Sequence, residues 1–120
     1  MSRSIPEVSA GRLYASAWAA GIPLDSAGWQ AWLADPATTR FTYPLYDRRA
    51  GYTSGFMTVR KEGRQRGGAY WTVYRRTGGR LRKTYLGPAA AVTATRLEAI
   101  AQALLAEATA HTEEGTMDER

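Results

Sequence analysis

The sequence predicts an α+β fold: a three-stranded antiparallel sheet backed by one C-terminal helix, with a small N-terminal helical layer. Three observations predict it. Between Gly55 and Gly87, bulky and polar residues alternate with period two, interrupted only by short glycine-bearing connections, the pattern of half-buried strands in a meander. After Thr93, Leu97, Ile100, Ala101, Leu104 and Leu105 recur at helical spacing and form an apolar stripe that needs a sheet to lie against. Upstream, Trp29, Trp32 and Leu33 also recur at helical spacing.

Taken in order, residues 1–8 are polar, carry Pro6 and are expected to be disordered. Residues 9–54 form the helical layer and a connection. In "GRLYASAWAAG", Leu13, Ala17 and Ala20, with Tyr14 and Trp18, fit a short helix that Gly21 stops. In "IPLDSAGWQAWLADP", Asp25 or Ser26 can cap a second helix, and Asp35-Pro36 ends it because proline disfavours helix at the residue before it. "RFTYPLYDRRAGYTSG" alternates at Phe41, Tyr43 and Leu45, but Pro44 restricts it to an edge strand or an extended connection. Residues 55–108 form the sheet-plus-helix domain. Its strands are "GFMTVRK", "AYWTVYRR" and "RLRKTYLG", joined by the basic loop "EGRQRGG" and the tight turn "TGG". Thr93 or Thr95 can start the helix, Thr95 making a capping box with Glu98. Residues 109–120 are an acidic tail expected to be disordered, in which Glu113, Glu114, Asp118 and Glu119 outweigh Arg120.

The 120 residues carry sixteen Lys and Arg against eleven Asp and Glu, a net charge of +5, which makes polyanions the leading class of partner. The charge is concentrated. Nine basic residues between Arg60 and Lys83 face Glu62 alone. Without cysteine the chain has no disulfide framework and no thiolate metal site, in keeping with a reducing cytoplasm. The first twenty-one residues contain no unbroken apolar stretch of signal-peptide or membrane-span length, so neither export nor membrane insertion is expected.

A sheet with one helix available buries one face and shows the other. Trp71, Val73 and Leu86 are assigned inward because a tryptophan supplies much of a small core's apolar area; a register slip of one residue would exchange the faces. Tyr70, Thr72, Tyr74, Arg76, Lys83 and Tyr85 then point outward. Guanidinium groups can bond phosphates or the guanine edge, and tyrosines can stack or bond phosphate. The outward set is therefore expected to contact bases of double-stranded DNA, with Arg60, Lys61, Arg64, Arg66 and Arg80 on phosphates. A narrow ribbon of two or three strands fits the major groove.

The stretch W-x-V-Y-R-R-x-G-G-R-L-R-K-x-Y-L-G, from Trp71 to Gly87 and followed by a Thr-capped helix, resembles the amino-terminal arm-binding domains of tyrosine-type integrases and, more distantly, the plant Apetala and ethylene-response-factor DNA-binding domains. The resemblance covers about Gly55 to Leu105. It implies a three-stranded sheet that reads the major groove with its exposed face, and it assigns base contacts to Tyr70, Thr72, Tyr74, Arg76, Lys83 and Tyr85. No recombinase domain follows, so strand cleavage is not implied and a DNA-binding regulator or mobile-element accessory factor is. The W-x-x-W-L pattern at Trp29–Leu33 is similar to that of small bacterial proteins and regulator N-termini with the same "YLG" segment.

Catalysis is not expected. Nucleic-acid hydrolysis needs paired carboxylates for a metal, or a nucleophile with its base, whereas the basic segment holds only Glu62, and Asp25, Asp35 and Asp47 read as cap or loop residues. "EGRQRGG" lacks the Lys-Ser/Thr ending of a phosphate-binding loop, and His111 has no companions to complete a metal site; no cofactor is expected. Two other partners compete with duplex DNA. An RNA-binding module would stack unpaired bases on the same rings, and a protein-interaction module would use the tryptophan-rich N-terminal layer, as in a homodimer.

Overall fold

The computed structural model describes residues 5–15, 20–63, 68–77 and 79–118, and only the backbone of residues 77 and 108–118. Seven strands form one mixed sheet: β1 (Glu7–Ser9), β2 (Arg12–Tyr14), β3 (Ile22–Pro23), β4 (Arg40–Asp47), β5 (Tyr52–Gly63), β6 (Ala69–Thr77) and β7 (Arg80–Gly87). Helix α1 (Ala27–Ala34) lies between β3 and β4, and α2 (Ala94–Asp118) follows a 3-10 turn at Ala89–Ala91. The spatial order is β3-β2-β1-β4-β5-β6-β7. All neighbours are antiparallel except β1 and β4, which run parallel.

This corrects the three-stranded expectation. The three predicted strands exist as β5, β6 and β7, but the sheet continues through β4 into an N-terminal β1–β2–β3 meander where a helical layer was expected. The cause is local. Ala10 and Gly11 both have positive φ, at 52° and 78°, the backbone of a two-residue hairpin turn whose twist suits the flanking strands. Val8 pairs with Leu13 across it, and both are buried. The segment expected to be the first helix therefore begins as β2, and Glu7, expected to be disordered, is in β1. Trp18 lies outside the described residues.

The second predicted helix is α1. Ser26 caps it, its Oγ accepting the Trp29 N–H at 3.2 Å. Asp25 instead serves the other helix: in a left-handed conformation (φ 66°) its carboxylate accepts the Ala94 N–H at 2.9 Å, at the start of α2. On α2 itself Thr93 is the side-chain cap, accepting the Arg96 N–H, rather than the Thr95–Glu98 box. The helix continues past residue 108 to Asp118.

β4 is an interior strand despite Pro44. The Thr42 N–H reaches the Pro6 carbonyl on the β1 side at 2.9 Å. Two residues on, with the same orientation in a strand, Pro44 has no N–H to offer, and the parallel pairing is confined to one bridge, Glu7 with Thr42. Pro44 keeps its place opposite Phe56 on the other side.

The core lies between one sheet face and the two helices. Phe41 and Leu45 of β4, Met57 and Val59 of β5, Trp71 and Val73 of β6, and Leu86 of β7 all point to it, as do Trp29 and Leu33 of α1 and Leu97 and Ala101 of α2. Trp29 stacks on Trp32 and meets Phe41 edge-on, while its indole N–H donates to the buried Val92 carbonyl at 2.8 Å. α2 crosses the same face, where the Tyr43 hydroxyl donates to Glu98 at 2.7 Å and Arg82 pairs with Glu107 at 3.1 Å. Among the described residues, no helix is long and apolar enough to cross a membrane.

Candidate nucleic-acid interface

Both helices lie on one side of the sheet, so among the described residues the opposite side of β4–β7 is left open. The pairing register identifies what it carries. One row across the strands is Thr42, Thr58, Tyr74, Lys83; the next is Arg40, Arg60, Thr72, Tyr85; Glu62 stands opposite Tyr70 beyond it, and Pro44 opposite Phe56 on the other side. All six residues expected to contact bases, Tyr70, Thr72, Tyr74, Arg76, Lys83 and Tyr85, fall on this open face. They alternate with Trp71 and Val73, which are buried on the helix side.

Within that face their roles differ. Tyr70 and Tyr85 have ring centroids 5.6 Å apart, and Tyr85 is about half exposed at 52%. Tyr74 is flanked by two cations, Arg60 at 5.4 Å and Lys83 at 5.6 Å from its ring centroid. A desolvated cation over a tyrosine ring contributes up to about 2 kcal/mol and an exposed one about 0.5–1, so these contacts fix ring orientation more than they stabilise the fold. Thr72 departs from expectation: at 1% exposure it is buried beneath its neighbours, and its hydroxyl donates to Glu62 at 3.3 Å. It supports the surface rather than touching a ligand.

Glu62 is the residue that sequence reading passed over. Read as the lone acid in a basic run, it sits at the centre of the ring cluster, accepting hydrogen bonds from the Tyr74 and Thr72 hydroxyls. The Tyr74 bond, followed by those from Tyr70 and Thr72 and the nearby Lys83 charge, holds its carboxyl below the usual carboxylate range, while the same bond raises the Tyr74 hydroxyl above its ordinary value. Its position was available by counting: Glu62 shares strand parity with Arg60 and Thr58.

The phosphate-binding set divides. Arg60 is exposed on the open face. Lys61, one residue on, points to the other side, where its Nζ donates to the Asp35 carbonyl at 2.8 Å and lies 5.5 Å from the Trp71 ring centroid; it ties the α1 end to the sheet and is not brought together with the others. Arg80 is exposed at the β6–β7 turn, opposite Thr77 and therefore on the helix-side parity. Arg64 and Arg66 lie outside the described residues. Arg40, which the sequence reading did not select, joins Arg60 in the same row. The far end of the face is less polar, with Phe56, Leu81 and Tyr46 each about half exposed.

The open face thus offers the tilted Tyr70–Tyr85 pair and a Tyr74 ring with cations over it and its hydroxyl on Glu62, with Arg40, Arg60, Arg76 and Lys83 around them. Such a surface can stack planar groups and neutralise a string of phosphates. Comparison with protein-family models, with curated proteins and with solved structures gives no match.

Proposed function

We propose that this protein binds single-stranded nucleic acid across the open face of β4–β7, as a non-enzymatic module acting in the cytoplasm. The observation that carries the proposal is the Tyr70–Tyr85 ring pair beside Tyr74, with Arg60 and Lys83 against that third ring, all on the side that neither helix covers. Rings on a sheet surface take unstacked bases, every base having a π-face, and cations along the strand path supply affinity that does not depend on sequence.

Duplex DNA, the partner expected from the sequence, fits this surface less well for three reasons. Four long strands at about 4.8 Å spacing span roughly 14 Å between their outer axes, wider than a major groove of about 12 Å. Thr72 is covered and unable to reach a base edge. Glu62 places a negative charge in the middle of the contact surface, tolerable beneath stacked bases but unfavourable against a phosphate backbone.

The test is competition in fluorescence anisotropy. A labelled mixed-sequence single strand, as RNA and as DNA, is titrated with the full chain and challenged with unlabelled duplex of the same sequence. Single strands should win, and log affinity against log salt should fall with a slope of about −0.7 per phosphate neutralised. Tyr85→Ala should lose about 1–3 kcal/mol, roughly 5- to 160-fold, while Arg60→Ala should reduce the slope. Duplex outcompeting single strands would return the reading to groove recognition. No measurable binding to either would end it.

A further inference from the structure

Because Pro44 stops the β1–β4 ladder after one bridge, the two strands part and leave a cleft of about 460 Å³ between the β1–β2 hairpin and the second half of β4. This is within the size range of small-molecule sites. Three aromatic residues line it, Tyr43, Tyr46 and Phe56, together with two carboxylates, Glu7 and Glu98. No lysine or arginine is among its described lining residues, in a chain whose net charge is +5. Local and overall charge are therefore opposed here.

The carboxylates are not equivalent. Glu98, its side chain about a third exposed at 33%, accepts from the Tyr43 hydroxyl at 2.7 Å, from Gln102 at 2.8 Å and from Arg48 at 3.4 Å. Arg48 offsets part of its charge from outside, its side chain being 70% exposed. Glu7 is exposed, and no described residue donates a hydrogen bond to it or pairs with it. Tyr46 and Phe56 are 45% and 51% exposed, and their rings are available to a ligand. An anion would meet two carboxylates. A hydrated metal ion would gain little from three rings. Apolar rings combined with negative charge suit a cation that is itself apolar on its surface, since such a group loses little hydration on entering and is attracted by the ring faces.

We infer that the β1–β4 cleft binds an alkylated ammonium group, seated against Tyr46 and Phe56, with Glu7 and Glu98 supplying the countercharge. The group can arrive on a free small molecule or on a modified lysine side chain, and the test separates the two. Full-length, ¹⁵N-labelled protein without nucleic acid is titrated with choline chloride and, separately, with a short peptide bearing trimethyllysine, against sodium chloride of equal ionic strength. Saturable shifts of the Glu7, Tyr46 and Phe56 amides are expected with at least one of them: choline alone identifies a free ligand, tighter peptide binding a modified protein. Phe56→Ala and Glu7→Gln, both at exposed positions and checked for an unchanged melting temperature, should each weaken binding about 3- to 30-fold. The inference fails if neither compound gives saturable shifts up to roughly 50 mM, where even a weak site would fill. It fails equally if the unmethylated peptide binds as well as the methylated one, or if both variants bind like the unaltered protein.

Discussion

Replacing Trp29 with Phe removes the one side-chain hydrogen bond that joins the α1 core tryptophan to the segment leading into α2. Trp29 is fully buried, and its indole N–H meets the Val92 carbonyl at 2.8 Å, 63 residues away in the chain. Phenylalanine keeps the apolar contact with Phe41 and Trp32 but leaves that carbonyl buried without its partner, a cost of about 1–3 kcal/mol. The smaller ring also leaves a void of roughly 40 Å³, which at about 24 cal/mol per Å³ adds about 1 kcal/mol. The total, about 2–4 kcal/mol, is a large part of the 5–15 kcal/mol that holds an ordinary domain together. In urea unfolding followed by circular dichroism the midpoint should fall with m unchanged, and the melting temperature should drop by roughly 8–20 °C. Trp32→Phe, at a half-buried position that takes no part in the bond, serves as the control and should cost less. If the Trp29 variant lost under about 1 kcal/mol, or no more than the Trp32 variant, the coupling of the two helices would rest on the Gln30–Ala89 and Asp25–Ala94 bonds and not on the indole.

Three further outcomes follow from hydrogen-bonded and titrating groups. Asp25→Ala should destabilise by about 1 kcal/mol, because the Ala94 N–H at the start of α2 loses its acceptor while the Thr93 cap remains, and Asp25→Asn should restore most of the loss; urea midpoints at neutral pH decide this. Glu62 titrates below its unfolded value, so its stabilising contribution is present above about pH 4.3 and is lost as pH falls through the lower folded value; Glu62→Gln should flatten the acid limb of stability against pH. Tyr43 has its hydroxyl raised, first by burial and then by its bond to Glu98, so its contribution is present below about pH 10 and declines at higher pH as the unfolded chain ionises first. Tyr43→Phe should flatten that alkaline decline, and absorbance at 295 nm should lose one late-ionising tyrosine.

The sequence made the β5–β7 meander and its two faces legible because its strands are long enough for period two to appear and a buried Trp71 fixes which face turns inward. Nothing similar marked β1 and β2. Three residues cannot display an alternation, Ala10 is an unusual occupant of a positive-φ turn position, and Leu13 and Tyr14 happen to continue into helix-like spacing. Pro44 was read as an edge marker when its missing N–H in fact faces the short β1, leaving β4's pairing with β5 intact. Strand parity places Lys61 on the helix side and Glu62 on the open side, a distinction that their charge alone does not carry. The pairing of Asp25 with Ala94 had no local signature, since the two meet only once the sheet has brought α1 beside the start of α2.

The single parallel bridge has a consequence for how the molecule breathes. The β1–β2–β3 meander is joined to the remaining strands by Glu7 and Thr42 and by the insertion of Val8 and Leu13 into the core, whereas β4, β5, β6 and β7 share continuous ladders. Opening that meander therefore breaks few backbone bonds, and its amides should exchange with deuterium well before those of β5 and β6. The proline that interrupts the ladder thus leaves the margin of the sheet beside the cleft held to its neighbours more by packed side chains than by paired backbone.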